Sequence, residues 1–464
     1  MALTLFNTLG RNLQIFRPRH GKQVTLYTCG PTVYRSPHIG NYRTFIFEDI
    51  LERTLRAQNY TVKRVMNITD VGHLTDDADA GEDKIEQESK KTHRSAQEIA
   101  KFYTKELLGD LKALNILTPR YLPRATSHVK EQIALIKTLE KKGFTYKTAD
   151  GIYFDTSKFP SYGALAKRAA SNIRAGVRVA LGEKKHPTDF ALWKFSGARK
   201  RQMEWKSPWG TGFPGWHIEC SAMAMKYLGK TLDIHCGGID HKETHHPNEI
   251  AQSEAATGKP FARFWMHGAF LNIKGEKMAK SNPETNITLQ TLRERGFDPL
   301  DLRYLVLGTH YRKPLSFSWE ALAGARTARL QTLVKPYRAL PKKTPLKLLS
   351  KEKKAKSIIM EAMRNDLNTA VALREIIKHA FVSKDFIDWA DALLGLNTKK
   401  EARALVGTTP PDILKKAILR SDARKAKDWK ESDRIREELR SFGFEVRDVT
   451  PDKQGEPDFE IHRL

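Results

Sequence analysis

Residues Gln23 to Asn41 read QVTLYTCGPTVYRSPHIGN, in which a strand pattern passes through a turn into a helix. Gln23–Thr28 has the composition of a buried strand, and apolar residues recur at helical spacing over Asn41–Gln58. Thr61–Ile68 has the composition of a second strand. A strand, a glycine-containing turn, a helix and a strand form a βαβ unit, which predicts a parallel sheet of the nucleotide-binding type.

The rest of the chain predicts further units around this α/β fold, because 464 residues exceed one hydrophobic core. The strand–helix alternation breaks from about residue 119 and resumes near Trp216. Long helices are predicted over 321–340 and 357–381, separated by PKKTPLKLLSKEKKAK, which is either a solvated linker or an RNA-facing surface. A helix pair and a short β-like end are predicted after about Asp412. The predicted segments are 1–118 and 213–319 as two halves of the nucleotide-binding fold, 119–212 as an insertion, 320–408 as a helical domain, and 409–464 as a small C-terminal unit.

Charge and composition limit the function classes. Lys and Arg total 80 against 54 Asp and Glu, a formal net charge of +26, which predicts a polyanionic partner such as nucleic acid. The sequence has no run of about 18 apolar residues, so no membrane span is predicted. The N-terminus lacks the pattern of a signal peptide. Three cysteines are too few for a disulfide framework, so a reducing cytoplasmic location is expected.

Two short motifs have the chemistry for binding a nucleoside triphosphate. In PHIGN, free amides and the helix dipole favour phosphate, Gly40 permits close approach, and His38 can donate to phosphate oxygens. In KMAKS, Lys277 and Lys280 are three residues apart, so both can face a triphosphate and stabilise the charge that develops on pyrophosphate.

Together with GWHIECSAM at 215–223 and DIHCGGIDHKETHHPNE at 233–249, these motifs make the chain resemble cysteinyl-tRNA synthetases over nearly its full length. That family belongs to the class I aminoacyl-tRNA synthetases, whose HIGH and KMSKS motifs correspond to HIGN and KMAKS here. Asn41 and Ala279 are therefore departures, as is Pro247 in HHPNE, where the family usually has HHENE. The resemblance implies a Rossmann-like catalytic domain with an insertion, a helical domain and an anticodon-binding C-terminal unit.

The resemblance also implies a zinc site, because the family's four ligand positions are filled here by Cys29, Cys220, His245 and Glu249. Zinc prefers four such nitrogen, sulfur or carboxylate ligands. His241 and His246 are expected as neighbours of the ligands or nucleotide contacts, and Cys236, which replaces a glycine of the family, is expected in the core. The further implied residues are His38, Lys277 and Lys280 for catalysis, Gly40, Asn41, Lys277, Lys280 and Ser281 for ATP, Gly30, Thr69, Trp216 and Asp240 for cysteine, and Arg424, Trp429 and Asp433 for the tRNA anticodon.

The resulting hypothesis is ligation of L-cysteine to tRNA(Cys) in two steps, with one Zn²⁺ per chain and Mg²⁺ accompanying ATP. Zinc would take the substrate thiol as thiolate, so that serine is rejected without an editing domain. A monomer is expected. Two alternatives stay open: a ligase of the mycothiol pathway that joins cysteine to an amino sugar, and a non-catalytic RNA-binding paralogue. The C-terminal unit and the net charge of +26 argue against the first, and the intact zinc ligands and KMAKS lysines argue against the second.

Overall fold

The structure is a computed structural model that describes residues 2–72, 83–166, 183–197, 200–273, 276–277, 286–407, 411–449 and 458–463. The helices are α1 Ile39–Ala57, α2 Lys84–Thr92, α3 Ala96–Ala113, α4 Val129–Lys141, α5 Trp216–Leu228, α6 His245–Thr257, α7 Leu289–Glu294, α8 Pro299–Leu307, α9 Trp319–Arg329, α10 Lys335–Ala339, α11 Leu349–Arg364, α12 Thr369–His379, α13 Lys384–Leu394, α14 Thr398–Gly407, α15 Pro411–Lys425 and α16 Trp429–Ser441. The strands are β1 Thr4–Asn7, β2 Asn12–Ile15, β3 Gln23–Thr28, β4 Thr61–Met66, β5 Thr145–Lys147, β6 Gly151–Phe154, β7 Phe190–Phe195, β8 Trp205–Ser207, β9 Gly210–Pro214, β10 Leu232–Gly238, β11 Ala262–Gly268, β12 Leu271–Ile273, β13 Glu276–Lys277, β14 Leu315–Phe317, β15 Phe444–Asp448 and β16 Phe459–Arg463.

A parallel sheet in the order β11-β10-β3-β4 is the centre of the fold. It confirms the βαβ unit predicted from the sequence, which is formed by β3, α1 and β4. The chain passes from β3 to β4 on one side and later adds β10 and β11 on the other side. The loops after β3 and β10 therefore diverge, and such a topological switch point opens a crevice at the carboxyl ends of the strands.

Helix α1 is held against the sheet by apolar packing and by buried ion pairs. Ile39, Tyr42, Phe45, Ile46, Ile50, Leu51 and Leu55 are among its core residues. Arg64 of β4 lies 3.4 Å from both Glu48 and Glu52, and all three side chains are buried. Asp49 accepts from Arg53 at 2.7 Å and also pairs with Arg303 of α8. Breaking such a buried pair leaves an uncompensated charge, so these contacts fix where α1 begins relative to the sheet.

The insertion between β4 and β10 contains α4 and an antiparallel sheet in the order β5-β6-β7-β9-β8, which confirms the β-rich character predicted there. Its strand β9 continues to Pro214 and so crosses the predicted boundary at Gly212. Apolar residues of α4, β6 and β7 share a core with residues of α5 and α6. The insertion therefore packs against the two helices that follow it in the second half of the nucleotide-binding fold.

The helical tail begins with α9 at Trp319, and both long helices predicted for it are divided. The predicted helix over 357–381 is divided between α11 and α12, because Asp366 and Leu367 adopt positive φ values of 53° and 57°. Asp366 accepts hydrogen bonds from Phe6 N at 2.9 Å and Tyr311 Oη at 2.7 Å, which stabilise this turn. The segment 341–356, for which a solvated linker and an RNA-facing surface were both open, is partly helical, since α11 begins at Leu349.

The predicted helix over 321–340 is likewise divided, into α9, a π-helical turn at Leu330–Val334 and α10. At the C-terminus, α15 and α16 pack together with the antiparallel pair β15–β16, which confirms the predicted helix pair with a β-like end. In the described part of the chain, no helix is both long enough and apolar enough to cross a membrane.

Candidate active site and metal centre

A cavity of ≈ 530 Å³ lies at the carboxyl ends of the parallel strands. Residues at or just beyond the end of each strand line it: Gly30 after β3, Asn67 after β4, Gly238 of β10 and Gly268 of β11. The N-terminus of α1 borders the same cavity through His38. This is the position at which open parallel sheets bind ligands, at the point where the strand order reverses.

His38 and Asn41 form a reciprocal cap at the start of α1. The backbone N–H of His38 donates to Asn41 Oδ1 at 3.1 Å, and the backbone N–H of Asn41 donates to His38 Nδ1 at 3.2 Å. A neutral imidazole that accepts through one nitrogen has its proton on the other, so this cap places the His38 proton on Nε2. Both residues and Gly40 line the cavity. An imidazole donor and the positive end of the α1 dipole thus meet at a place suited to phosphate.

The four predicted metal ligands converge at the base of the cavity. Cys29 follows β3, Cys220 lies on α5, and His245 and Glu249 are one turn apart on α6. One ligand atom from each residue lies within 4.8 Å of those of the other three, and all four residues are buried. Four positions separated by up to 220 residues in the sequence are thereby brought to one point.

The chemistry of this cluster fits a divalent cation that prefers mixed sulfur, nitrogen and oxygen ligands. Neither carboxylate oxygen of Glu249 has a well-aligned hydrogen bond among the described residues, although His235 Nε2 lies 3.0 Å from Oε2. Burial raises the pKa of the Glu249 carboxyl well above the usual range. Burial also raises the pKa of the Cys29 thiol, and a hydrogen bond with Cys220 adds to this effect. A buried ionised group is costly unless an opposite charge balances it, and a metal ion supplies that charge. Two cysteines, one histidine and one carboxylate are a donor set that zinc accepts.

Further histidines surround the ligands, and most of them were missed in the sequence. His235 Nε2 lies 3.0 Å from Glu249 Oε2, and Cys29, His235, His246 and Glu249 form a second set with ligand atoms within 4.8 Å of one another. His246 Nδ1 lies 2.8 Å from His267 Nε2. On the other side, His217 Nδ1 lies 2.9 Å from His245 Nδ1 and can fix the orientation of that ring. His217 and His246 are the second residues of α5 and α6, and His267 is the last but one of β11, whereas His235 lies in the middle of β10.

Cys236 is fully buried in the hydrophobic core, which confirms the expected core position. Successive side chains of a strand point to opposite faces of the sheet. His235 stacks on Trp265 at a ring separation of 4.5 Å on the metal-site face, and Cys236 packs on the face of α1. The third cysteine therefore lies outside both candidate ligand sets.

Two predicted cysteine-binding residues line the cavity beside the cluster. Trp216 is the first residue of α5, and its ring lies 4.5 Å from the ring of His245. Asp240 is exposed on a short 3₁₀ helix beside Gly238 and lines the same cavity. The arrangement offers an aromatic ring and a carboxylate to a ligand in this cavity.

The other two predicted cysteine-binding residues differ in position. Gly30 lines the cavity, and its backbone N–H donates to Asn67 Oδ1 at 2.8 Å. A Cβ at Gly30 would lie 1.8 Å from the Asn67 carbonyl oxygen, so only glycine fits. Thr69 is buried outside the cavity lining, where its hydroxyl accepts from Asn67 Nδ2 at 2.9 Å. Asn67, which sequence reasoning missed, thus joins Thr69 to the cavity wall.

The second ATP motif is only partly within the described residues. Lys277 lies in β13, which pairs with β12, and Leu271 at the start of β12 lines the cavity. The strand pair that includes Lys277 therefore begins at the cavity edge. Lys280 and Ser281 lie outside the described residues.

The three predicted anticodon residues lie together around the start of α16. Trp429 is 56% exposed, and the Arg424 guanidinium lies 5.4 Å from its ring centre. Arg424 also lies 3.3 Å from Asp448 of β15, and Asp433 lies 3.1 Å from Arg436. An exposed ring held beside a cation is a surface on which an unpaired base can stack.

Family models match most of the chain. The model of the tRNA synthetases class I (C) catalytic domain matches residues 15–327, and the model of the Cysteinyl-tRNA ligase anticodon binding domain matches residues 419–455. The first match contains the cavity and all four candidate ligands. The second match contains Arg424, Trp429 and Asp433.

Curated relatives are similar over almost the whole chain. A protein named Cysteine--tRNA ligase 1 from Burkholderia lata is 48% identical, with 98% of this chain and 96% of the relative covered. Proteins named Cysteine--tRNA ligase from Treponema denticola and Thermus thermophilus are 42% and 40% identical, each with 97% of this chain and 98% of the relative covered. A crystal structure of Mycobacterium tuberculosis methionyl-tRNA synthetase bound by methionyl-adenylate has a TM-score of 0.55 at 13% identity, covering 84% of this chain and 86% of the other, and shows the shared fold.

Proposed function

The chain belongs to the cysteinyl-tRNA synthetase family of class I synthetases and ligates cysteine to tRNA, and we propose that it selects cysteine through a zinc ion. In this proposal the ion is held by Cys29, Cys220, His245 and Glu249. The observation that supports it most is their convergence, within 4.8 Å, at the base of the cavity that His38 also borders. A recognition site for a thiol thereby adjoins a site suited to phosphate.

Amino-acid selection follows from what lies around the cluster. When bound there, zinc would supply a Lewis acid that takes a thiol as thiolate far more readily than it takes the hydroxyl of serine. Trp216 closes one side of the cysteine site, and Asp240 binds the α-ammonium group. Gly30 lines the cysteine site and lets the loop after β3 pack directly against Asn67, because a Cβ at Gly30 would lie 1.8 Å from the Asn67 carbonyl oxygen. A site built around one specific bond can reject the analogue that lacks it by about 10⁴-fold, so hydrolytic editing is unnecessary.

Adenylation is assigned to the other side of the cavity. The cysteine carboxylate attacks the α-phosphorus of ATP, and pyrophosphate leaves with Mg²⁺. His38 Nε2–H, Gly40 and Asn41 at the start of α1 bind phosphate oxygens, and the lysines of the KMAKS motif, with Ser281, stabilise the departing pyrophosphate. The terminal adenosine of tRNA(Cys) then takes the cysteinyl group. Segments 1–118 and 213–319 would carry out the first step, whereas 409–464 would bind the anticodon through Arg424, Trp429 and Asp433.

The alternative ligase that joins cysteine to an amino sugar needs no anticodon surface. The match of residues 419–455 to an anticodon-binding domain supports the tRNA ligase instead. The net charge of +26 favours the same choice. A monomer and a reducing cytoplasm stay predictions; the second is supported by three free thiols, two of them proposed metal ligands.

We propose that the cavity carries out adenylation and that residues 409–464 bind the anticodon. To test this, adenylation and transfer of cysteine to tRNA are each measured on the full-length chain and on a chain that ends at Thr408. We expect cysteine-dependent ATP–pyrophosphate exchange from both chains, because adenylation uses only the cavity. Transfer of cysteine to total tRNA should fall sharply in the shorter chain, with circular dichroism confirming that it folds. Unchanged charging by the shorter chain would remove the anticodon role from 409–464. Acceptance of an amino sugar in place of tRNA by the full-length chain would support the alternative ligase.

A further inference from the structure

The segment Pro341–Lys356, PKKTPLKLLSKEKKAK, is the most basic stretch that the proposed function leaves without a role. It contains seven lysines and one glutamate. From sequence it could be a solvated linker or an RNA-facing surface. In the structure it consists of a short extended stretch, a 3₁₀ turn at Leu346–Leu348 and the start of α11.

The segment is attached to the helical tail by hydrogen bonds rather than passing freely between helices. The backbone N–H of Lys384, the first residue of α13, donates to Pro341 O at 2.9 Å, and that of Asp385 donates to Lys342 O at 3.1 Å. The hydroxyl oxygens of Thr344 and Ser383 lie 2.8 Å apart, within hydrogen-bond distance. These contacts place the lysines on a defined surface of the tail, which argues against the linker interpretation.

The charge of this surface is almost entirely uncompensated. Glu352 is buried, and its carboxylate is used by Lys356 at 2.5 Å and by the Thr344 hydroxyl. We define the lysine face as the exposed residues Lys342, Lys343, Lys347, Lys351 and Lys354. Within the described residues, none of these five has an ion-pair partner.

The charges of the lysine face repel one another, and some oppose the helix dipole, when no anionic partner is bound. Lys351 and Lys354 lie in the first turns of α11, where the helix dipole is positive, so their charges oppose it. Lys347, Lys351 and Lys354 follow one another at spacings of four and three residues, which places like charges side by side. A row of anionic groups would relieve both kinds of repulsion.

Apolar side chains are exposed on the same part of the surface. Leu346 is 87% exposed between Lys343 and Lys347, and Phe381 is 65% exposed two residues before Ser383, which contacts Thr344. Cations interleaved with an exposed aromatic ring are typical of surfaces that bind nucleic acid, because phosphates meet the cations and a base or ribose meets the ring.

We propose that the lysine face binds backbone phosphates of the tRNA between its acceptor end and its anticodon, an inference that rests on the proposed function. The chain order supports this choice of partner. The face lies after the segment that forms the cavity, which ends near 319, and before the α15–α16 unit, which starts at Pro411. The helical tail thus connects, along the chain, the unit proposed to hold the acceptor end of the tRNA and the unit proposed to hold its anticodon.

The test measures binding of total tRNA to the full-length protein as a function of salt, without catalysis. The variant is the triple Lys347→Ala, Lys351→Ala and Lys354→Ala, with circular dichroism as a folding control. We expect the Kd to rise about tenfold at 0.1 M salt and the slope of log Kd against log salt to fall by about 2 to 3, roughly one unit per phosphate contact. Cysteine-dependent pyrophosphate exchange should be unchanged, and the triple arginine variant should bind like the original.

A matched control removes Lys101, Lys105 and Lys112, three exposed lysines that share a face of α3. It loses the same charge, and we expect it to keep the original salt slope. An unchanged slope in the α11 triple, or an equal fall in the α3 triple, would overturn the proposal. Binding to phosphatidylserine vesicles that the α11 triple loses, with tRNA binding intact, would assign the face to a membrane and also overturn it. Absence of cysteine charging by the original protein would instead count against the proposed function, because tRNA binding is measured separately.

Discussion

The base of the catalytic cavity and the α15–α16 unit place their functional side chains in opposite environments. Cys29 and Glu249 are buried, and each lies close to several other titratable groups. Trp429 and Arg424 are solvent-exposed on the surface of a small separate core. When a buried group of the cavity is removed, neither water nor a salt ion can take over its interaction. On the surface, binding is the sum of many contacts that salt screens, so the loss of one residue should weaken function much less.

The largest effect on activity is expected when one of the proposed metal ligands in the cavity is removed. Replacement Cys220→Ala removes one of the four proposed ligands and leaves Glu249 buried without a balancing charge. We expect zinc content to fall from one per chain to a small fraction. Cysteine-dependent pyrophosphate exchange at fixed cysteine should fall by about 10⁴-fold, the range for losing the one bond on which selection depends. Metal analysis and exchange assays on the purified variant measure both.

Cys236→Ala is the matched control, because it removes an equally buried thiol on the opposite face of the sheet. It should keep the metal and the exchange activity. Full zinc content in the Cys220→Ala protein, or loss of zinc from both variants alike, would contradict the assignment of the ligands.

A smaller effect is expected at the phosphate side of the cavity. In Asn41→Ala the hydrogen bond from the His38 backbone N–H to Asn41 Oδ1 is lost, while the bond from the Asn41 backbone N–H to the His38 ring is kept. The backbone that carries the ring is then less well fixed, and the proposed contact of the Asn41 amide with ATP is lost as well. We expect kcat for pyrophosphate exchange to fall by about 10²-fold, as for a lost transition-state donor. The KM for cysteine should barely change, because the metal cluster is untouched.

Asn41→His provides the control, since an imidazole at the third helical position can also accept from the His38 backbone. That variant should keep most of the activity. An inactive histidine variant of normal stability would show that the amide has a role other than capping.

The cavity and the tail also differ in how far sequence predicted them. The strands β3 and β4 and the helix α1 follow from local periodicity, and so does the position of the crevice. The four ligands were identified only through the resemblance to a family. Asn67, His235 and His267 were missed because their partners are Gly30, Glu249 and His246, which are 14 to 37 residues away and come close only when the strands align.

In the tail, the apolar spacing of the sequence predicted that the segments are helical but did not predict where each helix ends. The apolar spacing continues through 357–381, whereas the turn at Asp366 depends on contacts with Phe6 and Tyr311 of distant segments. Such tertiary contacts override local propensity and leave no periodic signal. The same reason explains why the 341–356 segment could not be distinguished from a linker.

The smallest expected effect concerns one exposed ring of the α15–α16 unit. Trp429→Ala removes a surface on which an anticodon base can stack, a contact worth about 1–3 kcal/mol per base. We expect the Kd for tRNA(Cys) to rise about tenfold while pyrophosphate exchange stays unchanged, because the cavity and its ligands are not involved. Phe442→Ala is the matched control, since that ring is 55% exposed, against 56% for Trp429, in the same unit. Its loss should leave the Kd unchanged, because Phe442 lies at the opposite end of α16 from the three predicted anticodon residues, where the cation beside its ring is Lys416 rather than Arg424. Equal weakening by both variants would mean that general apolar contact, rather than stacking at Trp429, holds the tRNA.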